Sequence, residues 1–301
     1  LTSDSALRME RLPESLILLG GGAVSLEFAQ FFARLGTRVS VIQRSGQLLR
    51  GSDRDVAREL EAALRDEGID IHIGTSLRGV RATEKGKQVQ FEQAGRTIEL
   101  TAEAVFHGLG RRPSVDLRLE TAGVDLDASG MIRTDSQQRT TAPHIYAAGD
   151  CCGPHEIVHV AIQQGEVAAR NILGATQSLD HRLLLSVVFT DPQVATVGWG
   201  EDAAMQAGED VLSAKYPFND HGKSIILGAR HGFVKLLAHR RTGALMGGAC
   251  VGPQGGELIH EIMVAMAGRL TAAEFAALPH YHPTLAEIWT YPAEELAGQV
   301  G

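Results

Sequence analysis

A run of three glycines at residues 20–22 constrains what this chain can fold into more than any other feature. The apolar residues 16–19 precede the run, and apolar side chains follow it at helical spacing, namely Val24, Phe28, Phe31, Phe32 and Leu35. This order predicts a strand, a tight turn and a helix. Glycine permits the turn and lets the backbone approach a pyrophosphate at the helix N-terminus. Gly20, Gly22 and Ser25 fit the dinucleotide-binding pattern G-x-G-x-x-G, with serine at its third position.

Taken alone, a glycine triplet also fits a strand-to-helix turn that binds no ligand. The residues that follow favour a dinucleotide. A second strand is predicted at residues 38–42, and it ends where a ribose-reading side chain is expected, about 20 residues after the glycines. That position holds Gln43 rather than an acid, and Arg44 and Arg50 follow. Because guanidinium groups bind a 2'-phosphate and a carboxylate repels it, the sequence predicts a preference for NADPH over NADH.

The composition narrows the range of partners. The 301 residues carry a formal net charge of −8, which argues against nucleic acid and anionic membranes as partners. No apolar stretch reaches the ~18 residues that span a bilayer. Three cysteines, Cys151, Cys152 and Cys250, are too few for a secreted disulfide scaffold, so we predict thiols in a cytoplasmic protein. A strained disulfide between the adjacent pair is the alternative, and no metal site is predicted.

Residues 1–113 are predicted to form a doubly wound α/β nucleotide-binding domain. Val56, Leu60 and Leu64 indicate an amphipathic helix over residues 53–68. A strand at 69–73, a hairpin of strands 89–92 and 97–100, and a strand at 104–106 complete the pattern.

Residues 114–182 are too short and discontinuous to form a domain alone. A strand predicted at 145–148 delivers Asp150 at its carboxyl end, where ligands bind in open α/β sheets. Asp150 could therefore accept a hydrogen bond from a cofactor hydroxyl. The alternative is that it caps the next helix, which is predicted from residue 160 to 172.

Residues 183–301 are predicted to form an antiparallel α+β domain. The predicted strands are 184–190, 194–199, 211–218, 232–239 and 244–251. The predicted helices are 201–207, 256–267 and 271–277.

Six blocks of sequence in order resemble one family, the class I pyridine nucleotide-disulfide oxidoreductases, which include dihydrolipoamide dehydrogenase, glutathione reductase and mercuric reductase. The blocks are LTSDSALRMERLP, GGGAVSLE, GLGRRP, TTAPHIYAAGDC, VVFTDPQVATVG and HYHPTLAE. The resemblance covers the whole chain. It implies that residues 114–182 are the C-terminal part of an FAD-binding domain, in which Asp150 binds the ribityl chain of FAD. It further implies that the following residues contact the nicotinamide nucleotide: Gly20, Gly22, Glu27, Arg44, Arg50 and Gly110.

The resemblance also implies that His282 and Glu287 form an acid/base dyad. Imidazole titrates near neutral pH and can take a proton from a dithiol, while a carboxylate fixes its tautomer. Without the resemblance, His282 would be interpreted as a loop histidine before proline. In the family the dyad reaches the disulfide of the partner subunit, which implies a homodimer through residues 183–301.

Two departures from the family pattern matter. The family's N-terminal flavin-binding portion, with its redox-active C-x-x-x-x-C, has no counterpart in these residues. We therefore expect the C-terminal two-thirds of an enzyme, which alone neither holds FAD tightly nor reduces a disulfide. In addition, HYHPTLAE resembles the lipoamide branch, whereas the arginines resemble the NADPH-using branches. The mercuric branch has a C-terminal cysteine pair, but no cysteine follows Cys250.

Three functions remain open from the sequence. The first is a flavoprotein that reduces a small-molecule or protein-bound disulfide, present as a fragment. The second is a relative of mercuric reductase that reduces another electrophile. The third is a non-catalytic nucleotide-binding and dimerisation module.

Overall fold

The computed structural model describes residues 1–114 and 116–300. It divides into two compact units, Leu1–Leu109 together with Leu185–Gly301, and Gly110–Leu184. The predicted fold class, α/β with an α+β region, is confirmed. The division into domains 1–113, 114–182 and 183–301 stays a prediction.

The amino-terminal part of the first unit contains a parallel sheet and an antiparallel sheet. The strands are β1 (Ser15–Leu19), β2 (Arg38–Ile42), β3 (Asp70–His72), β4 (Thr75–Thr83), β5 (Gly86–Gln93), β6 (Arg96–Ala102) and β7 (Ala104–His107). The helices are α1 (Ser3–Ala6), α2 (Ala23–Arg34) and α3 (Arg54–Asp66). The parallel sheet has the order β3-β2-β1-β7, and β4, β5 and β6 form the antiparallel sheet.

β1 is the centre of the parallel sheet, where Leu18 pairs with Val41 on one side and Phe106 on the other. Its residues 16–19 are buried, as expected for an apolar run covered on both faces. In this order β2 and β3 lie on one side of β1 and β7 lies on the other, so the strand order reverses at β1. The carboxyl ends of β1, β2 and β7 therefore meet at the position where α/β sheets bind nucleotides.

The strand β4 was not predicted from the sequence. After its first residue every side chain of this strand is exposed, so it lacks the alternation of buried and exposed positions that indicates a strand. Pairing with β5 holds it in place.

The carboxyl-terminal part of the first unit is an antiparallel sheet with helices. Before this sheet in the chain, the second unit contains the helix α4 (Val158–Ile172). The sheet consists of β8 (Leu185–Val188), β9 (Gln193–Gly198), β10 (Val211–Pro217), β11 (Phe233–His239) and β12 (Leu245–Gly252), in the order β10-β11-β12-β9-β8. The helices are α5 (Glu201–Ala207), α6 (Gly222–Ile226), α7 (Gly255–Ala267), α8 (Ala272–Ala276) and α9 (Thr290–Gln299).

A buried lysine connects this antiparallel sheet to α3 in the amino-terminal part. Lys235 on β11 is 2% exposed, and its Nζ lies 2.7 Å from carboxylate oxygens of both Asp53 and Asp55 at the start of α3. Burial lowers the pKa of Lys235, but the hydrogen bonds to Asp53 and Asp55 outweigh burial and hold the pKa above its ordinary value. The lysine is therefore charged, and it fixes α3 against β11.

The second unit is built around α4 and a small apolar core of Val124, Ile132, Ala142, Ala147 and Cys152. The prediction of a strand at residues 145–148 is wrong. Tyr146 forms only an isolated bridge to Arg139, because the chain turns back tightly and Ala147 N donates to Gln138 O. The apolar segment is too short to pair further.

No helix within residues 1–114 or 116–300 is both long and apolar enough to cross a membrane.

Candidate functional site

The glycine turn after β1 is shaped by close backbone packing. Gly20 has φ +106°, and a Cβ on it would lie 2.2 Å from the carbonyl oxygen of Gly108. Only glycine fits there. Ser25 is buried, and its Oγ donates to Gly108 O at 3.4 Å, so the small third residue of the pattern packs α2 against the end of β7.

Gly22 is the N-cap of α2 and faces open space, since nothing lies within 4 Å of where its Cβ would be. The first backbone N–H groups of a helix have no partner within the helix. The start of α2 therefore directs backbone N–H groups and the positive end of the helix dipole towards an unobstructed region, as an incoming phosphate requires.

This region is a cleft of about 820 Å³ at the carboxyl ends of β1, β2 and β7. Its wall contains the three glycines and both arginines that the sequence predicts to read the nucleotide, Arg44 and Arg50. Both arginines are exposed. The residues that line the cleft include no aspartate or glutamate, so the electrostatics of its wall favour an anion.

Gln43 has a role that the sequence analysis did not find. Its Oε1 accepts from Gly21 N at 3.0 Å, and its Nε2 donates to Ser45 Oγ at 2.5 Å. The side chain therefore connects the glycine turn to the loop that contains the arginines. A carboxylate here would accept from Gly21 N as well, but it could not donate to Ser45.

Three other predicted residues do not line this cleft. Glu27 lies on α2, and its Oε1 accepts from the backbone N–H of Phe189 at 2.8 Å. Gly110, with φ +109°, and the exposed Asp150 belong to the second unit. The alternative role of Asp150 as a helix cap is wrong, because the N-cap of α4 is Ile157. The cofactor contacts of these residues stay predictions.

The cysteines are free thiols, as predicted. Burial, followed by the neighbouring Cys151, raises the pKa of the Cys152 thiol to about 11. Burial also raises the pKa of Cys250. Neither thiol is therefore poised to act as a nucleophile at neutral pH. No group of metal-ligating side chains that could hold a metal ion occurs in the part of the chain the structure describes.

His282 and Glu287 are in contact. His282 Nδ1 lies 2.9 Å from Glu287 Oε2, and the histidine side chain is 78% exposed while that of the glutamate is 12% exposed. Glu287 lies on a 3-10 helix, Ala286–Trp289, that is anchored by the fully buried Trp289. The arrangement joins a fixed, buried carboxylate to an imidazole that solvent and an incoming group can reach.

A second histidine holds the other oxygen of the same carboxylate. His221 Nε2 lies 3.1 Å from Glu287 Oε1, and His221 Nδ1 lies 2.7 Å from Ser224 Oγ. His221 is 1% exposed. His221 was not predicted from the sequence, because it is 66 residues from Glu287 and no local pattern marks it.

Comparison with known proteins gives a consistent result. A family model described as pyridine nucleotide-disulphide oxidoreductase matches residues 1–165, and the model of the dimerisation domain with the same description matches residues 184–293. The dihydrolipoyl dehydrogenase of Geobacillus stearothermophilus is 34% identical over 299 residues, and that of Thermus scotoductus is 38% identical over 301 residues. Each alignment covers 99% of this chain, which spans 64% and 65% of those two proteins.

Solved structures agree. LpdA from Mycobacterium tuberculosis matches with a TM-score of 0.89 and 31% identity, over 98% of this chain and 64% of that one. The HOCl-induced flavoprotein disulfide reductase RclA from Escherichia coli matches with a TM-score of 0.88 and 26% identity, over 98% of this chain and 67% of that one.

Proposed function

This chain belongs to the pyridine nucleotide-disulphide oxidoreductase family, and we propose that it forms the nucleotide-binding and dimerisation parts of an FAD-dependent NAD(P)H:disulfide oxidoreductase resembling dihydrolipoamide dehydrogenase. Because the chain spans about two thirds of its relatives, we propose that a segment outside these residues supplies the redox-active cysteines and most flavin contacts. By this proposal the chain alone is inactive. The observation that carries it is the 2.9 Å contact between His282 and Glu287.

The nucleotide is NADPH in preference to NADH. The similarity to dihydrolipoyl dehydrogenases leaves the nucleotide open, so this part of the proposal rests on the cleft. Two exposed arginines on a wall without carboxylates support binding of a 2'-phosphate. The open face at Gly22 supports close approach of the pyrophosphate.

Bound FAD would supply electron transfer between the nicotinamide nucleotide and the redox-active disulfide. In this chain Asp150 would hold it, because this side chain is exposed and can accept a hydrogen bond from a ribityl hydroxyl. The backbone next to Asp150 is held by Gly149, whose N–H donates to Gln164 Oε1 at 2.7 Å.

His282 acts as the acid/base toward the dithiol. The carboxylate of Glu287 accepts a hydrogen bond from the N–H at Nδ1, which leaves Nε2 unprotonated in the neutral ring. Nε2 takes the proton of one S–H group, and the resulting thiolate attacks the substrate disulfide. This gives a mixed disulfide and one substrate thiolate, which receives the proton from His282. The second thiol of the dithiol then loses its proton to Nε2 and attacks its partner sulfur in the mixed disulfide, which closes the disulfide of the protein and releases the second substrate thiolate, protonated by His282 in turn.

The partner is a second copy of the chain through residues 183–301, which include the segment matched by the dimerisation model. Across the two-fold axis, His282 of one subunit serves the dithiol of the other. Light scattering on the isolated chain at micromolar concentration should give twice the monomer mass of 32.2 kDa. A strictly monomeric mass would contradict this arrangement.

The acid/base assignment is tested with His282→Gln in the protein that includes the redox segment. We expect turnover of a disulfide substrate to fall about 100- to 10,000-fold, the range for a lost general acid/base. Flavin reduction by NADPH should persist, because hydride transfer does not use His282. A variant that reduces disulfides at a near-normal rate would show that His282 and Glu287 do not act as an acid/base dyad. Support would then move to the mercuric-reductase-like alternative.

The non-catalytic module is retained as a candidate because the chain has no C-x-x-x-x-C. Mass spectrometry of the protein from its native source distinguishes this module from part of a longer oxidoreductase. A protein that ends at these residues, binds NADPH and carries no flavin would favour the module.

A further inference from the structure

The carboxylate of Glu287 lies between two imidazoles. Its Oε2 is 2.9 Å from His282 Nδ1, and its Oε1 is 3.1 Å from His221 Nε2. Glu287 as a whole residue is 9% exposed. Burial of an ionised carboxylate is costly unless both oxygens are hydrogen-bonded, and each imidazole satisfies one of them.

The hydrogen bonds fix where the protons lie. An ionised carboxylate can only accept, so both His282 Nδ1 and His221 Nε2 must carry hydrogens. In neutral His221 the Nδ1 atom is then an acceptor, and the Ser224 hydroxyl at 2.7 Å is its donor. Both nitrogens of His221 are satisfied in this arrangement.

The two histidines differ in how firmly they are held. The His221 side chain is fully buried, and the ring of Tyr291 packs edge-on against it at 6.2 Å between centroids. Tyr291 in turn stacks on Tyr216 at 4.0 Å. The His282 side chain is 78% exposed and therefore depends on Glu287 for its orientation. Glu287 in turn is held by His221.

We propose that His221 is a positioning residue that fixes the Glu287 carboxylate, so that His282 keeps its proton on Nδ1 and presents an unprotonated Nε2. The significance of this tautomer for disulfide reduction rests on the proposed function. The tautomer itself is a property of this chain, and it can be measured without flavin or substrate.

The test compares two amide substitutions that separate the two nitrogens of His221. In His221→Gln the amide nitrogen reaches the position of Nε2 and can still donate to Glu287. In His221→Asn the amide reaches only the position of Nδ1, beside Ser224. Both substituted side chains are polar and neither titrates, so the two variants differ in whether residue 221 can donate to the Glu287 carboxylate.

The readout is the ¹⁵N NMR spectrum of histidine-labelled chain at a pH where histidine is neutral, with His282 assigned by its loss in His282→Gln. We expect the unsubstituted chain and His221→Gln to show His282 with one N–H and one unprotonated nitrogen. In His221→Asn the shifts of the two nitrogens should converge, because the ring exchanges between tautomers.

His280→Gln provides the control, since His280 is a half-buried histidine of the same loop whose Nε2 contacts a different carboxylate, Glu261, at 2.7 Å. It should leave the His282 spectrum unchanged. A folded His221→Asn chain with an unchanged His282 tautomer would overturn the proposal. The proposal would also be overturned if His221→Asn and His221→Gln changed the His282 spectrum equally, or if His280→Gln changed it as much as His221→Asn.

The activity measurement separates this inference from the proposed function. In the protein with the redox segment, His221→Asn should lower kcat about 10- to 100-fold, as loss of an orienting partner does, while the KM for the disulfide changes little. His221→Gln should restore most of the activity. If the tautomer responds as expected but His282→Gln retains turnover, the proposed function fails and the positioning role stands.

Discussion

The cleft at the glycine turn, which we propose binds the nucleotide, and the Glu287 cluster, which consists of His221, Ser224, His282 and Glu287, place their polar groups in opposite environments. Arg44 and Arg50 stand exposed on a wall without carboxylates. Glu287 is buried and has a hydrogen-bond partner on each oxygen. A binding site can leave its charges in water, because the ligand will pair with them. A group that orients a proton acceptor must be placed before substrate arrives, and a buried carboxylate cannot be left without partners.

The largest effect should come from Glu287→Gln. The amide NH₂ would face His282 Nδ1 and require it to accept, so the proton moves to Nε2 and the ring can no longer take a proton there. We expect turnover of the complete enzyme to fall about 1,000- to 10,000-fold, as for the wrong tautomer of a catalytic histidine.

Steady-state kinetics combined with stopped-flow reduction of the flavin would measure this effect. NADPH affinity should not change, because the substitution lies outside the cleft. A comparable loss of flavin reduction would show that the two regions are not independent.

A smaller effect, on stability, is expected for Gly20→Ala. Its Cβ would meet Gly108 O at 2.2 Å while the residue keeps φ +106°. Strained backbone and overpacking together should lower the free energy of unfolding by about 2 to 5 kcal/mol. Urea denaturation of the isolated chain measures it.

Gly22→Ala is the matched control, since nothing lies within 4 Å of its Cβ. It should leave the chain nearly as stable as before but weaken NADPH binding, because the new methyl group occupies the open face of the turn. Equal destabilisation by the two substitutions would show that the turn is not shaped by Gly108.

The smallest effect is the nucleotide preference. Arg44→Glu should remove one charge-assisted contact with the 2'-phosphate and repel that group, which weakens NADPH binding by about 1.5 to 3 kcal/mol and reverses the preference. Calorimetry with NADPH and NADH on the isolated chain measures both affinities.

Arg58→Glu makes the same change of charge in the adjacent groove, whose lining includes Arg50 and Arg58, without altering the wall of the cleft. It should preserve the preference. Equal affinities for the two nucleotides in the unsubstituted chain would contradict the prediction.

The sequence by itself determined the local features. β2 and α5 occur at the predicted residues, 38–42 and 201–207, because their side-chain periodicity, flanking turns and burial all agree. The glycine turn and both arginines come together in one cleft because they lie in the segments that follow the neighbouring strands β1 and β2. Such features depend on residues close in the chain.

Only the tertiary structure decided the rest. The strand β4 is held by its pairing with β5, and the segment at 145–148 forms only an isolated bridge because the chain turns back tightly there. Lys235 is buried in the middle of a strand, and three carboxylates from distant residues make this possible, namely Asp53, Asp55 and Glu201.

His221 is the clearest case. Its sequence neighbours give no reason to assign it a role, and it acquires one from a carboxylate 66 residues away. Periodicity and turn signals describe how a segment folds on itself. The partner of a buried polar group is set by which segments the fold packs together, and hydrogen-bond satisfaction then makes the contact obligatory.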